Sequence, residues 1–194
     1  SCAARRAGCG GCDWAEVADA AQMTHKVGVV VEALRRTARI DFDVVDGGSV
    51  SRTGYRTTMR VIGDEEGKPS LRMESSNTAL PIAGCEVAHP RLVELLDEMR
   101  LTPGLEATLR VSGHDGGSTA RWDRRVGEVL GLPTETLTGR DAAIEEVVDS
   151  PSGLLRLRVS AGSFFQSGPE AAGLLIGTLA RMVPECTDAE HLVD

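Results

Sequence analysis

Three cysteines lie within the first twelve residues of this chain, and a fourth follows after 72 intervening residues. Cys2, Cys9 and Cys12 form the pattern C-x6-C-x2-C, and Cys85 completes the set. The first group is rich in glycine, which allows the tight, often positive-φ turns of a loop that brings backbone N–H groups towards sulfur atoms. Three thiolates from one loop and one distant thiolate can close a tetrahedral four-thiolate site.

The spacing alone leaves four interpretations open. A [4Fe–4S] cluster uses four thiolates and commonly takes several of them from one loop. A structural zinc site also uses four thiolates, usually as two C-x2-C pairs, and Cys85 has no such partner. A thioredoxin-like C-x-x-C motif needs a preceding strand, and none is visible before Cys9. The last interpretation is four unrelated free thiols, and Cys186 is interpreted as an incidental thiol rather than a fifth ligand.

The composition limits the class of protein. Of the 194 residues, 41% are apolar, which is enough for an ordinary core. We find no apolar run long enough to span a membrane and no secretory signal, so a cytoplasmic protein is expected. An odd count of five cysteines then favours metal or redox chemistry over a disulfide framework. The net charge of −8 argues against binding nucleic acid mainly through bulk positive charge.

Elements that would position these residues can be recognised from periodicity. Helical spacing of apolar residues predicts three helices, over about 14–39, after Pro90 and over 169–182. Alternation of apolar and polar residues predicts strands in DFDVVD, YRTTMRVIG, SLRMES, LEATLRVSG and GLLRLRVSAG, the second and third forming a hairpin. The last residues, HLVD, are typical of a strand that is just beginning. We therefore predict an α+β fold, with a β-rich region over 1–162 and the start of an α/β unit over 163–194.

Several motifs occur together in an order that resembles a known family. They are CGGCDW, AAQMTHKVGVVVEALRR, GYRTTMRV, PIAGCEVAHPRL and SFFQSGPEAA. This order resembles the bacterial S-adenosylmethionine-dependent RNA (uracil-5-)-methyltransferases, which form 5-methyluridine in tRNA and 23S rRNA. The resemblance extends over nearly the whole chain, and the cysteine pattern is its most specific part.

The resemblance implies ligands and cofactors. In the iron–sulfur branch of the family four cysteines, which correspond to Cys2, Cys9, Cys12 and Cys85, hold a [4Fe–4S] cluster that supports folding and RNA binding. The Phe-x-Gln motif corresponds to Phe164 and Gln166. In the family the glutamine borders the S-adenosylmethionine site, and the phenylalanine lies near the target base.

The resemblance also implies that the Tyr-Arg stretch lies on the substrate side. A strand face carrying Arg56 and Arg60 suits phosphate contacts, and an aromatic residue suits base stacking. Read from the residues alone, Arg56 and Arg60 are equally compatible with a solvated strand face. Phe164 and Gln166 are also compatible with a buried phenylalanine and a glutamine at a helix entry.

We expect a truncated enzyme, with residues 163–194 forming the first strand–helix segment of a class I (Rossmann-like) methyltransferase domain. The family's donor-binding glycine motif, nucleophilic cysteine and general base would follow HLVD, so no catalytic residue is assigned and the isolated chain is expected to be inactive. The main alternative is a non-catalytic four-cysteine module, with iron–sulfur or zinc, that binds RNA or a protein. A redox-sensing iron–sulfur protein is a third possibility.

Overall fold

A six-stranded sheet forms the centre of the protein. The computed structural model describes residues 2–82 and 84–182. Along the sheet the strand order is β3-β2-β1-β5-β6-β8, with antiparallel neighbours except for the parallel pair β6–β8. These strands are β1 Thr58–Gly63, β2 Pro69–Arg72, β3 Ala79–Pro81, β5 Glu106–Val111, β6 Ser118–Trp122 and β8 Leu137–Thr138. The mixed sheet with its helices confirms the predicted α+β class, and β1–β2 is the predicted hairpin.

Helix α3, Pro90–Glu98, packs on one face of this sheet and closes the main core. His89 caps the helix by accepting a hydrogen bond from the Arg91 N–H, and Pro90 occupies the first turn, where its missing N–H costs nothing. The apolar side chains of α3 recur at helical spacing and meet the alternating apolar side chains of β1, β5 and β6. The buried members are Leu92, Leu95, Leu96, Met99, Met59, Val61, Leu105, Ala107, Leu109, Val111 and Ala120.

A long hairpin and a helix form a second packing unit. Strands β9, Ala143–Ser150, and β10, Gly153–Ser160, pair antiparallel along their full length. Helix α4, Pro169–Met182, lies against β9 and begins at the residue that the sequence predicts. The predicted inward face of β10 is buried at Val159, whereas Leu155 and Leu157 are each 37% exposed. A short two-stranded sheet joins β4, Arg100–Leu101, to β7, Val129–Leu130.

The N-terminal region differs from the predictions in three places. Residues 1–13 were expected to be a loop, but the short helix α1, Ala3–Arg6, precedes the cysteine turn. Helix α2, Asp19–Thr37, is shorter than predicted and has no buried residue. The strand predicted for DFDVVD is not formed: within residues 2–82 and 84–182, residues 41–46 pair with no strand, and Phe42 and Val45 are exposed.

Two predictions lie outside the described residues, namely the HLVD strand and Cys186. Among the described residues, no helix combines the length and the hydropathy that crossing a bilayer requires.

Candidate functional site

The four cysteines of the sequence pattern line one small cavity. Cys2, Cys9, Cys12 and Cys85 surround a volume of about 60 Å³, together with side chains that include Leu71, Ile82 and Arg56. All four are half-buried free thiols. The structure therefore brings the distant Cys85 to the loop that carries the other three.

The cysteine loop is fixed against the end of β2. Cys9 forms an isolated antiparallel bridge with Met73, and the Glu74 N–H donates to the Gly8 carbonyl at 2.9 Å. Gly8 has a φ of +100°, where a Cβ would meet the Met73 side chain at 2.7 Å, so glycine is required at this turn. Arg5 fastens the loop further by donating to the Cys9 carbonyl at 3.0 Å and to the Glu74 carboxylate at 2.9 Å.

Arg56 connects this loop to the segment that carries Cys85. Its Nη2 donates to the Gly11 carbonyl at 3.2 Å, and its backbone forms a parallel bridge with Ala88. Burial raises the pKa of the Cys12 thiol, the Arg56 guanidinium lowers that pKa, and the three other thiols raise it again. The effect of the three other thiols on the pKa of Cys12 agrees with the position of all four around one cavity.

The cavity has the donor chemistry of a four-thiolate group. Within residues 2–82 and 84–182, however, no three or more His, Cys, Asp and Glu side chains are grouped so that they could hold a metal ion. A single zinc ion needs its sulfur ligands about 2.3 Å from one point. In a four-iron cluster each thiolate binds a different iron atom, so the sulfur atoms stand further apart. Four thiols are the donor set that both kinds of site use, but in the described residues their arrangement is not that of a site for a metal ion.

Arg56 and Arg60 do not share one exposed face, contrary to the prediction. Arg56 is half-buried at the cysteine cavity, whereas Arg60 is exposed and lines a separate groove. The reason is that Arg56 precedes β1 and its backbone pairs with Ala88, outside the six-stranded sheet. Arg60 lies within β1 and binds the carboxylate of Glu106 on β5.

The Phe-x-Gln motif lies in the extended segment between β10 and α4. Phe164 is 89% exposed, Gln166 is half-buried, and the neighbouring Phe165 turns inward. The Ser167 carbonyl accepts from the Thr57 N–H at 2.7 Å, which fixes this segment beside the start of β1. The segment therefore presents an aromatic side chain to solvent from an anchored backbone, and Phe164 is not the buried phenylalanine of the alternative interpretation.

A buried arginine supports this segment and interacts electrostatically with a buried glutamate, and neither was predicted from the sequence. Arg110, on β5, is 2% exposed and donates to the carbonyls of Ser160 and Ser163 at 3.1 and 2.9 Å. Burial lowers the pKa of Arg110, and the charge of Glu146 opposes that effect. Glu146, on β9, is 1% exposed and accepts from the Gly113 N–H at 3.1 Å. The alternation of LEATLRVSG places Arg110 at a polar position, so the sequence gives no signal that its side chain is buried.

The chain is similar in sequence to proteins named as uncharacterized RNA methyltransferases. The relative from Streptomyces coelicolor is 28% identical over 203 residues, covering 87% of this chain and 42% of the relative. The relative from Streptomyces avermitilis is 27% identical, covering 87% and 45%. A protein from Corynebacterium glutamicum is 33% identical over 112 residues, covering 54% and 27%. The chain thus spans less than half the length of these relatives, and no protein-family model matches it.

The fold is similar to that of a solved methyltransferase. Pyrococcus abyssi tRNA (uracil-54, C5)-methyltransferase, in complex with S-adenosyl-L-homocysteine, superposes with a TM-score of 0.54 at 17% identity. The match covers 86% of this chain and 49% of that one. At this identity the similarity establishes a shared fold, and together with the sequence relatives it relates the chain to RNA methyltransferases.

Proposed function

We propose that this chain is part of an RNA methyltransferase that transfers a methyl group from S-adenosylmethionine to C5 of a uridine in rRNA or tRNA. The observation that carries the proposal is the fold similarity over 86% of the chain to a methyltransferase that acts on uracil C5. The names of the sequence relatives support RNA as the substrate. The complex of the structural neighbour with S-adenosyl-L-homocysteine supports S-adenosylmethionine as the donor.

The Phe-x-Gln segment would serve both ligands. Gln166 would border the methyl donor, and Phe164 would contact the target base. An aromatic side chain that is 89% exposed offers a stacking surface for an unpaired base. Anchoring of the segment by Arg110 and Thr57 supports this role, because a contact residue on a fixed backbone loses little conformational entropy on binding.

The remaining chemistry needs groups that we do not assign to this chain. Uracil C5 is a poor nucleophile, so methylation requires a thiolate to add at C6 and a base to remove the C5 proton afterwards. The four half-buried thiols around the cysteine cavity are proposed as ligands, not as that nucleophile. This chain would therefore hold the RNA and one wall of the donor site, and we expect it to be inactive when isolated.

We further propose that Cys2, Cys9, Cys12 and Cys85 hold a [4Fe–4S] cluster. Their position around one cavity and the chemistry of four thiols support this assignment. When bound, the cluster would tie the N-terminal loop to the segment before α3 and so support folding and RNA binding. Zinc in the same thiols is the alternative, and it would require the four sulfur atoms to close around one point.

The test uses the full-length gene product that contains this chain, purified without oxygen. It is incubated with tritiated S-adenosylmethionine and with unmodified tRNA and 23S rRNA transcripts, and the RNA is digested to nucleosides. We expect tritium in 5-methyluridine, with no turnover by the 194-residue chain alone. Tritium in another nucleoside would contradict the proposed function. The absence of tritium from every nucleoside, with protein that holds its full complement of the proposed cluster, would also contradict it.

Two variants of the full-length protein distinguish the role proposed for Gln166 at the donor site from the role proposed for Phe164 at the target base. Gln166→Ala is expected to raise the KM for S-adenosylmethionine about tenfold and to leave RNA binding unchanged. Phe164→Ala is expected to weaken RNA binding by about 1–3 kcal/mol, the range for one stacked base, with little effect on donor affinity. The reverse pattern, or equal effects on both ligands, would overturn these assignments.

A further inference from the structure

A wide groove crosses the face of the six-stranded sheet that is turned away from α3. Its volume is about 940 Å³. Arginine dominates its charged lining, which consists of Arg60, Arg72, Arg121, Arg124, Arg125, Arg140, Glu106 and Asp123. The groove thus carries an excess of four positive charges in a chain whose net charge is −8.

Strand register explains why the arginines meet. Met59 pairs with Leu109 and Leu109 with Ala120, and this row faces the core under α3. One residue further along, Arg60 pairs with Thr108 and Thr108 with Arg121. Side chains alternate between the two faces of a sheet, so this second row points into the groove.

Strand β2 adds a further arginine to the row. Ile62 pairs with Ser70, and extending this antiparallel register by two residues brings Arg72 opposite Arg60. Both guanidinium groups bind the carboxylate of Glu106, Arg72 at 2.9 Å. The row crosses four strands, which at about 4.8 Å between strands gives a length of about 14 Å.

Three of the six groove arginines have no acidic partner among the described residues. Glu106 balances part of the charge of Arg60 and Arg72, and Asp123 binds Arg125 at 2.9 Å. Within the part of the chain that the structure describes, Arg121, Arg124 and Arg140 form no ion pair with a carboxylate. These three positive charges are therefore available to an external anion.

One of these arginines is already held in position. The guanidinium of Arg124 lies over the ring of Trp122, with its Cζ 5.0 Å from the ring centroid, and donates to Thr138 Oγ1 at 2.9 Å. The side chain of Arg121 lies over Gly162, where a Cβ would come 2.0 Å from its Nη1. An arginine held as Arg124 is loses less entropy when it binds, and the planar fork of arginine matches two oxygens of a phosphate.

We propose that this groove binds the sugar–phosphate backbone of a single-stranded RNA segment that leads to the Phe-x-Gln segment. Phosphates suit rows of arginine forks, and an elongated groove suits a polymer. The groove lining includes Ala161 and Gly162, which precede the exposed Phe164 by three and two residues. A strand lying in the groove would thus run towards the residue assigned to the target base. This inference rests on the proposed function for the identity of the nucleic acid.

The test measures binding of a fluorescein-labelled oligouridine to the 194-residue chain by fluorescence anisotropy at several salt concentrations. The groove variant combines Arg121→Ala, Arg124→Ala and Arg140→Ala. The matched control removes three exposed arginines outside the groove through Arg35→Ala, Arg36→Ala and Arg156→Ala. Both variants change the net charge equally, so a difference between them reports location.

We expect the groove variant to bind the oligouridine about tenfold more weakly or worse, and the control to bind nearly as the native chain does. The slope of log Kd against log salt should fall by about 2 in the groove variant, since each lost phosphate contact on a single strand contributes about 0.7. A variant with lysine at the same three positions should recover part of the affinity.

Equal binding by the two variants would overturn the groove, as would absence of RNA binding by the native chain. Stronger binding of polyglutamate than of oligouridine would also overturn it, because the site would then favour an acidic protein. None of these outcomes contradicts the proposed function, which is tested by 5-methyluridine formation by the full-length protein. If that reaction failed but the groove variant lost RNA binding, the groove would still be an RNA-binding site. The protein would then be an RNA-binding protein of a different function.

Discussion

The guanidinium of Arg110 lies over the ring of Phe165, with its Cζ 5.7 Å from the ring centroid. Arg110 comes from β5 at the centre of the sheet, and Phe165 comes from the segment before α4. The same guanidinium donates to the carbonyls of Ser160 and Ser163. One buried cation thus joins the sheet to the segment that presents Phe164 and Gln166.

Replacing Arg110 with methionine should loosen that segment. Arg110→Met removes two charge-assisted hydrogen bonds, which each contribute about 1.5–3 kcal/mol, so we expect a loss of about 3 kcal/mol in the free energy of unfolding. Urea unfolding measures this loss, and hydrogen exchange should accelerate over residues 160–168. The control Arg158→Met removes an exposed arginine with one bond to the Asp141 carbonyl and should cost less than about 0.5 kcal/mol. Similar losses in both variants would contradict this role.

A glycine pair tests how closely the segment approaches β1. A Cβ at Gly168 would lie 2.8 Å from the Tyr55 carbonyl oxygen, a backbone atom that cannot move independently, so Gly168→Ala should destabilise the protein by about 1–3 kcal/mol. At Gly177, within α4, a Cβ would meet Arg181 at an ordinary 3.6 Å. Gly177→Ala should therefore stabilise by up to about 1 kcal/mol through helix propensity. Thermal unfolding distinguishes the two, and a stabilising Gly168→Ala would show that the approach is looser.

The sequence predicted elements whose signals are local. Helix α4 begins at the predicted residue because Pro169 suits a first turn, and the leucines that follow repeat at helical spacing. DFDVVD also alternates, but alternation forms a strand only where a neighbouring strand offers hydrogen bonds. Phe42 and Val45, at 65% and 86% exposure, have no such neighbour among the residues that the structure describes.

The sites were predictable to a different extent. The spacing of the cysteines identified the four residues that line one cavity, because neighbouring glycines and the repetition of one residue type distinguish them in the sequence. The arginine groove was missed, because strand pairings between β1, β5 and β6 create it from residues up to 61 positions apart. Its local signal is RWDRR at 121–125, where three arginines surround Trp122 and Asp123.

Glu106 should limit the affinity of the groove for RNA, because it binds Arg60 and Arg72. Glu106→Gln frees both guanidinium groups, so we expect severalfold tighter binding of the oligouridine and a steeper salt dependence. The matched control is Glu145→Gln on β9, whose carboxylate binds Arg156 at 2.5 Å outside the groove. Anisotropy titrations measure both, and an equal gain in the control would mean that only net charge matters.

The carboxylate of Glu106 also determines how the affinity of the groove for RNA should respond to pH. Hydrogen bonds from Arg72 and then Arg60 hold the pKa of Glu106 below its ordinary value of 4.5. Glu106 is therefore charged throughout pH 5–8, and protonation would release the arginines only at more acidic pH. We therefore expect the affinity for oligouridine to stay constant between pH 8 and 5, both in the native chain and in Glu106→Gln. A rise in affinity between pH 7 and 6 would point to a histidine instead.

The cysteine cavity yields the prediction that separates a metal centre from free thiols. Cys85 reaches the cavity from a segment far along the chain, so a group that binds all four thiolates would cross-link the N-terminal loop to the region before α3. Protein purified without oxygen should contain iron and acid-labile sulfide and absorb broadly in the visible range. Cys85→Ser should lose the iron and lower the unfolding temperature, because the link between the two segments is removed. Cys186→Ser, which changes a thiol outside the proposed ligand set, should keep both properties. A colourless protein with one zinc per chain would replace the cluster with zinc, and a metal-free protein whose stability is unaffected by Cys85→Ser would leave four free thiols.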